Sequence, residues 1–148
     1  AGIESPGLAS SPAIAEEVVK LVGNRLPLEE REDYIPNRPP VIRFNSLPVH
    51  EKNRLIKENP AYGRIICKCE NITEAEVIDC IRRPAGARSV KAIKKRLRPG
   101  AGRCQGGFCQ PLIVEILARE LGISPMAVVY DSLDSAIVIA ETKGVSDL

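Results

Sequence analysis

Four cysteines in two closely spaced pairs constrain this chain more than any other feature of its sequence. Cys67 and Cys69 are separated by one residue, and Cys104 and Cys109 by four. Residues two apart in an extended segment point to the same side, so both thiols of the first pair can face one inorganic centre. Gly106-Gly107 lets the backbone of the second pair approach that centre closely, because glycine has no side chain to obstruct it. The pattern predicts a four-thiolate metal site built from two loops.

The spacing of these pairs favours an iron-sulfur cluster over a zinc ion. Paired ligands in structural zinc sites usually have about two to four residues between them on both arms, or include histidine. Here the first pair has one intervening residue, and His50, the only histidine, is distant in sequence and is expected at the surface. Iron-sulfur clusters accept four cysteines at more varied spacings. The cluster is therefore the leading interpretation, and zinc is the alternative.

A basic segment lies between the two pairs and contains no Asp or Glu. Its cations are Arg88, Lys91, Lys94, Lys95, Arg96, Arg98 and Arg103. Their positive charge can compensate a buried anionic cluster or attract an acidic partner. A solvated helix face accounts for the same residues equally well.

The remaining composition is that of a small globular protein whose core contains few aromatic side chains. The 148 residues suffice for one ordinary domain, or for a small domain with flanking pieces. Only 3% of the residues are aromatic and Trp is absent, so the core is expected to need a metal or a neighbouring domain. The fifth cysteine, Cys80, lies beside a predicted helical apolar stripe and is expected to be a buried structural residue.

Several features bear on the cellular location of the chain. Five cysteines are an odd count for a secreted disulfide framework, which favours metal or redox chemistry. No run approaches the roughly 18 apolar residues of a spanning helix, and the N-terminus lacks a signal-peptide pattern. We expect a cytoplasmic protein, associated with a membrane only through a partner subunit. Met126 is the only methionine, which suggests an excised piece of a longer chain.

Proline content and helix signals divide the chain into four predicted segments. Residues 1–23 contain a helix, residues 24–61 form a Pro-rich connector, residues 62–129 form the metal-binding domain, and residues 130–148 form a tail. Proline fixes the backbone and interrupts helices, which is why the second segment is expected to be extended.

Local signals place elements in the flanking segments. Ser11 is the predicted N-cap of the first helix, Pro12 its first residue and Gly23 its stop. A helical run at Glu51–Lys57 interrupts the connector, and the apolar run Ala136–Ala140 is typical of a short strand.

The metal-binding segment is predicted to be a series of helices. Thr73 and Glu76 form a predicted capping box, and Ser89 caps a short basic helix. A further helix is predicted at Pro111–Leu121, directly after the second cysteine pair, and Ser124-Pro125 opens one more helical turn. The predicted fold class is therefore mainly α.

The residues around the cysteines closely resemble a known family. Ile66–Glu70, Thr73–Glu76 and Gly102–Cys109 resemble the BFD-like 2Fe-2S domain, which is named for the bacterioferritin-associated ferredoxin. The variant is similar to the one attached to bacterial FAD-dependent dehydrogenases of the anaerobic glycerol-3-phosphate dehydrogenase and 2-hydroxyacid oxidase type. The resemblance covers residues 62–129. It implies a small helical domain in which Cys67, Cys69, Cys104 and Cys109 hold a 2Fe-2S cluster.

The first residues resemble another part of the same flavoproteins. Gly2–Leu8 and the helix that follows are similar to their last FAD-contacting loop and helix, which implies that Ser5, Gly7 and Leu8 contact FAD in the full-length parent. The sequence contains no dinucleotide-binding G-x-G-x-x-G motif. The chain by itself is therefore not expected to bind FAD or to turn over substrate.

The resemblance implies electron transfer from flavin, through the cluster, to an electron-acceptor subunit or carrier. Within the cluster domain, Lys68, Arg103 and the backbone N-H groups of the glycine loop would tune the potential. A purely structural cluster, a module for metal or cluster delivery, and a zinc-binding interaction module remain alternatives. Nucleic acid is not expected as a partner, because no aromatic residues are interleaved with the basic ones. A nucleophilic cysteine enzyme is disfavoured, since no histidine base accompanies any cysteine.

Overall fold

The computed structural model describes residues 3–37 and 39–140. It divides the chain into two compact units, with the boundary between Pro40 and Val41. The boundary falls inside the predicted connector, so the structure groups residues 41–61 with the cysteine-bearing part of the chain. Across the described residues, no helix has both the length and the apolar character needed to cross a membrane.

The first unit contains one helix, α1 (Gly7–Gly23), none of whose residues is buried in the described structure. The predicted stop at Gly23 is confirmed, but the predicted start is wrong, because α1 begins at Gly7 and contains Pro12. Proline has no N-H to donate to the carbonyl four residues earlier, which belongs to Leu8. The Ser11 hydroxyl donates to that carbonyl at 2.8 Å, and this bond satisfies the group that Pro12 leaves without its helical partner.

The second unit is mainly helical, as predicted, with a small two-stranded sheet. Its elements in chain order are α2 (Val49–Glu58), β1 (Ile65–Cys67), β2 (Ile72–Thr73), α3 (Glu74–Arg82), α4 (Val90–Leu97) and α5 (Cys109–Leu121). Three short 3-10 turns, Phe44–Ser46, Pro60–Gly63 and Pro125–Ala127, complete the described elements.

The predicted helix signals in this unit are confirmed at their caps. The Thr73 side chain accepts from the Glu76 N-H and Glu76 reaches back to the Thr73 N-H, which is the expected capping box of α3. The Ser89 hydroxyl accepts from the Ala92 N-H at the start of α4. The helix predicted from Pro111 begins two residues earlier, at Cys109, and ends before Gly122 in a left-handed cap.

Aliphatic side chains form the main core, as the low aromatic content requires. Ile113, Ile116 and Leu117 of α5 are almost completely buried against α3 and α4, together with Cys67 and Cys109. Two of the candidate ligands therefore belong to the core itself. Cys80 is also buried here, in agreement with its predicted structural role.

A second, smaller cluster contains the two aromatic side chains that are buried among the described residues. The rings of Phe44 and Tyr62 are stacked with their centroids 5.7 Å apart, and they pack with Leu55 of α2 and Ala75 of α3. This cluster fixes α2, which includes the predicted helical run, to the start of α3.

The tail forms less regular structure than its composition suggests. In place of the predicted strand-like segment, the described part of the tail has one antiparallel bridge, between Val129 and Ala136, and the Tyr130 carbonyl accepts from the Lys91 N-H at 2.8 Å. Ile137 and Val138 pack against the main core. The last residues of the predicted tail, 141–148, lie outside the described residues.

Candidate metal centre

The first cysteine arm, Ile65–Asn71, is a hairpin between β1 and β2. The strands pair antiparallel, with Cys67 opposite Ile72, and a turn at residues 68–71 reverses the chain. Asn71 takes a positive φ of 52°, a conformation that asparagine adopts more readily than most residues. Cys67 is buried with 1% exposure, whereas Cys69 is exposed on the turn.

The first arm is fixed by the capping box directly behind it. The Glu76 carboxylate is buried and accepts from the Thr73 N-H at 2.9 Å, from the Thr73 hydroxyl at 2.9 Å and from the Phe44 N-H at 3.2 Å. These bonds connect β2, α3 and the small aromatic cluster. The hairpin is therefore joined to the N-terminus of α3 and to the small aromatic cluster, and Ile66 and Cys67 of β1 pack in the main core.

The second cysteine arm, Pro99–Cys109, has no strand and depends on unusual backbone conformations. Gly100, Gln105 and Gly106 all take positive φ values, of 81°, 50° and 93°. The Gln105 side-chain amide donates to the Gly102 carbonyl at 2.9 Å, and the Gly107 N-H donates to the Cys104 carbonyl at 3.0 Å. Tight local turns, with two glycines at positions that disfavour a side chain, hold this arm.

The two arms meet at the cysteines. The sulfur atoms of Cys69 and Cys104 lie 3.6 Å apart. The Cys67 thiol lies close enough to Cys109 to raise the pKa of that thiol. The four predicted ligands are thus brought together as two pairs, and each pair takes one cysteine from each arm.

Gly102 permits this approach. A Cβ atom at this position would lie 2.4 Å from the Cβ of Cys69 and 3.4 Å from its sulfur, which is too close for any side chain. The sequence predicted a close backbone approach at Gly106 and Gly107, whereas Gly102 was noted only as the first residue of the family-like segment that ends at Cys109.

The environment of the thiols differs from one ligand to the next. The Gly106 N-H, the Cys69 thiol and the Phe108 N-H all point to Cys104, and they hold the pKa of that thiol below its usual range. Burial, with the neighbouring Cys67, raises the pKa of Cys109 to about 11. Because metals bind thiolates, a bound cation would favour the deprotonated form of both residues.

The basic segment contributes less free charge to the site than its sequence suggests. Lys91 forms an ion pair with Asp131, and the Arg96 guanidinium donates to backbone carbonyls at Ala85 and Ala92. Arg98 forms an ion pair with Glu70 at 3.1 Å, next to the first arm. A large part of this segment therefore stabilises the fold.

The donor set fits a two-iron cluster better than a single ion. Tetrahedral zinc, with Zn–S bonds of about 2.3 Å, places all four sulfurs about 3.8 Å from one another. Among the described residues, no group of three or more His, Cys, Asp or Glu side chains is arranged to hold one metal ion. The contacts of Cys69 with Cys104 and of Cys67 with Cys109 match a centre in which each of two irons takes two cysteines.

The predicted FAD-contacting residues lie in the first unit. Ser5 is exposed in the turn before α1, Gly7 begins the helix, and the Leu8 side chain is 92% exposed. A Cβ atom at Gly7 would lie 3.0 Å from the Ile3 side chain, so the turn is tightly folded. Their role toward FAD stays a prediction.

Comparison with known proteins agrees with the geometry of the cysteines. Residues 65–119 match the profile of the BFD-like 2Fe-2S binding domain. A glycerol 3-phosphate dehydrogenase from Caloramator mitchellensis is 47% identical over 144 residues, which cover 97% of this chain and 30% of that protein. An opine oxidase subunit from Rhizobium meliloti is 39% identical over 62 residues, which cover 41% of this chain and 11% of that protein.

These relatives are much longer than the chain, which spans less than a third of the length of each. No solved structure matches the chain. The four cysteines that the structure brings together all lie within the matched segment. Residues 65–119 of this chain are therefore similar to the BFD-like 2Fe-2S binding domain, and the similarity includes all four cysteines.

Proposed function

We propose that the chain is the iron-sulfur electron-transfer module of an FAD-dependent dehydrogenase similar to glycerol-3-phosphate dehydrogenase. The observation that carries this proposal is the pairing of Cys69 with Cys104 and of Cys67 with Cys109 inside the family match. The similarity to a glycerol 3-phosphate dehydrogenase extends over 97% of the chain and supports the choice of parent.

The four cysteines would hold the cluster, and the residues around them would control its surroundings. When bound, a 2Fe-2S cluster accepts and releases one electron at a time. Cys67 and Cys109 lie in the core and exclude water from one side of the site. The N-H groups of Gly106 and Phe108 at Cys104 stabilise negative charge on that sulfur. Cys69 is exposed and gives electrons a short path to the surface.

The flanking residues are assigned to the rest of the parent flavoprotein. Ser5, Gly7 and Leu8 would contact FAD there, and the exposed apolar face of α1 would be covered by the FAD domain. Electrons would pass from the flavin to an acceptor subunit or carrier. Five free cysteines are compatible with the reducing cytoplasm, where we place the parent, with any membrane contact made through a partner.

Metal analysis of the chain purified without oxygen tests this proposal. We expect about two irons and two sulfides per chain, and a visible spectrum that one electron from dithionite bleaches. Cys69→Ala should remove the iron and the colour. Cys80→Ala is the matched control and should retain both, because Cys80 lies on α3 and none of the four predicted ligands is among the groups that shift its pKa.

Two other results would contradict the proposal. One zinc per chain, with no colour after an attempt at cluster reconstitution, would indicate a structural zinc module. A cluster that chelators or apo-proteins remove within minutes, and that dithionite does not reduce, would indicate delivery of the cluster in place of electron transfer.

A further inference from the structure

The surface around the cysteine contact carries an exposed aromatic ring. Phe108 is one of only two phenylalanines in the chain, and its side chain is 81% exposed. Its backbone N-H points to the sulfur of Cys104. A scattered apolar side chain is ordinary on a protein surface, but this ring lies directly beside a candidate iron ligand.

Two cations flank the same contact. Lys68 precedes Cys69 on the first arm, and Arg103 precedes Cys104 on the second. Both side chains are exposed, and neither has a hydrogen-bond or ion-pair partner in the part of the chain that the structure describes. The nearby carboxylate of Glu70 is already paired with Arg98. The surface beside the two sulfurs is therefore cationic.

An apolar groove continues this surface. Its volume is about 620 Å³, and it begins at Gly106 and Gly107, immediately before Phe108. Its apolar lining comes from Pro111, Val114, Pro125, Ile137 and Val138. A protein interface typically combines an apolar centre with a charged rim, and this part of the molecule supplies both.

We propose that Lys68, Cys69, Arg103 and Phe108, named here the cluster-arm face, form the docking surface for an acidic redox protein. The inference rests on the proposed function and names the chemistry of the electron partner. Unpaired cations, one on each arm next to a contacting cysteine, would attract and orient an acidic surface. The Phe108 ring would be buried in an apolar pocket of the partner, as interface aromatic residues commonly are. Docking there brings the partner next to Cys69 and Cys104.

The step at this face is the transfer of one electron. The reduced chain loses one electron and the acceptor gains it, so a ferric haem, for example, becomes ferrous. No bond between heavy atoms forms or breaks, and no proton is transferred. The cluster-arm face would shorten the distance between the cysteine ligands and the acceptor's redox group, and it would lengthen the lifetime of the complex.

Two forms of one haem protein provide a matched probe. Native cytochrome c has a basic surface, and succinylated cytochrome c carries carboxylates in place of its lysine charges. Stopped-flow mixing with the reduced chain measures electron transfer to each. We expect faster reduction of the succinylated form at low salt, and this advantage should disappear as ionic strength rises.

Charge variants test whether Lys68 and Arg103 cause the faster reduction of succinylated cytochrome c. The double variant Lys68→Gln/Arg103→Gln should slow reduction of succinylated cytochrome c by roughly tenfold at low salt. The matched control, Lys57→Gln/Arg88→Gln, removes one lysine and one arginine from exposed positions outside both arms and should change the rate little. Equal rates for the two double variants would overturn the proposal.

A second variant tests the ring without changing charge. Phe108→Ala should weaken equilibrium binding of oxidised succinylated cytochrome c to the oxidised chain by about fivefold or more, at low and high salt. Leu133→Ala is the control, because Leu133 is 96% exposed in the tail. Iron content should be unchanged in all variants, since each altered side chain points to solvent. Unchanged binding by Phe108→Ala would overturn the role of the ring.

The measurements distinguish docking from other roles of the same residues. If the charge variant shifts the reduction potential and slows both forms of cytochrome c equally, then Lys68 and Arg103 compensate cluster charge, and the docking proposal fails. If the chain reduces neither form but still binds the succinylated one through Phe108, the docking face stands and the electron-transfer proposal fails.

Discussion

The first cysteine arm, Ile65–Asn71, is held by the core, whereas the second, Pro99–Cys109, is held by its own backbone. Ile66 and Cys67 of the first arm are buried, and the strand pair leads directly into the capping box of α3. The second arm has positive φ values at Gly100, Gln105 and Gly106 and is tied by local hydrogen bonds. A metal site can thus combine a ligand pair positioned by packing with one positioned by turn geometry.

Because of this difference, the two arms are expected to depend differently on the bound metal. Hydrophobic burial fixes the first arm independently of the metal, because its strands pack whether or not the thiols are ligated. The second arm is buried at Cys109 but has no strand pairing, and it must approach within contact distance of the first. Gly102 is the point where this approach is closest.

The largest expected effect comes from adding one methyl group at that point. In Gly102→Ala the new Cβ would lie 2.4 Å from the Cβ of Cys69, so the arms must separate. Overpacked contacts cost about 1–3 kcal/mol, which corresponds to a loss of cluster affinity between about fivefold and about a hundredfold. The loss of cluster affinity is measured in two steps. Iron and sulfide per chain are determined after reconstitution, and the cluster is then challenged with a chelator.

Gly63→Ala provides the matched control for this change. A Cβ atom at Gly63 would make an ordinary contact of 3.5 Å with the Ile56 side chain, outside both arms. This variant should retain the cluster as the unmodified chain does. Full cluster retention by Gly102→Ala would mean that the arms are not held together as closely as the structure has them.

Removal of the cluster should affect the two arms unequally. Hydrogen exchange of the cluster-free and cluster-loaded chain can be compared amide by amide. The N-H groups of Gln105 and Gly107, which bond within the second arm, should exchange roughly tenfold faster without the cluster, a change of about 1.4 kcal/mol in local opening free energy. The N-H groups of Thr73 and Glu74, which hold the first arm, should change little.

Amides in the middle of α5 serve as the internal reference for this comparison. Leu117 is completely buried in the main core, so its exchange should be insensitive to the cluster. Equal acceleration in both arms, with Leu117 unchanged, would show that burial does not fix the first arm. The distinction between the two arms would then be wrong.

The same distinction explains which features the sequence could predict. The capping box at Thr73 and Glu76 and the cap at Ser89 were predicted correctly, because short-range hydrogen bonds determine them. The start of α1 was predicted too late in the sequence. Pro12 cannot donate a hydrogen bond to the Leu8 carbonyl, but the Ser11 hydroxyl donates to it instead, so the helix continues through Pro12. Local signals therefore predict helix caps well, except where a side chain replaces the usual backbone bond.

Features of the site that depend on contacts between residues far apart in sequence were not predicted. The four cysteines were recognised from their spacing, but their pairing across the arms requires the fold. The close contact of Gly102 with Cys69 joins residues 33 positions apart, as their numbers show, and no local pattern encodes it. The burial of Glu76 and its bond to the Phe44 N-H depend on a segment that was predicted to be a connector.

The smallest expected effect concerns an ion pair that braces the first arm. Glu74 is buried, which raises its pKa, but hydrogen bonds from Arg119 at 2.7 Å and Arg64 at 2.9 Å outweigh burial and leave the pKa below its usual value. A carboxylate with a lowered folded-state pKa stabilises the fold above its unfolded-state pKa of about 4.3. That stability is lost as the pH falls through the lower folded-state pKa.

Denaturant unfolding of the cluster-free chain between pH 6 and pH 3 measures this loss. Both arginines are half exposed, so we expect a decrease of only about 1 kcal/mol from this carboxylate. Glu74→Gln should remove that part of the pH dependence and lower stability at pH 6. Glu51→Gln, which breaks a more exposed ion pair with Arg54 on α2, should change the curve less. If Glu74→Gln gives a curve parallel to that of the unmodified chain, apolar packing and the capping box alone hold the first arm.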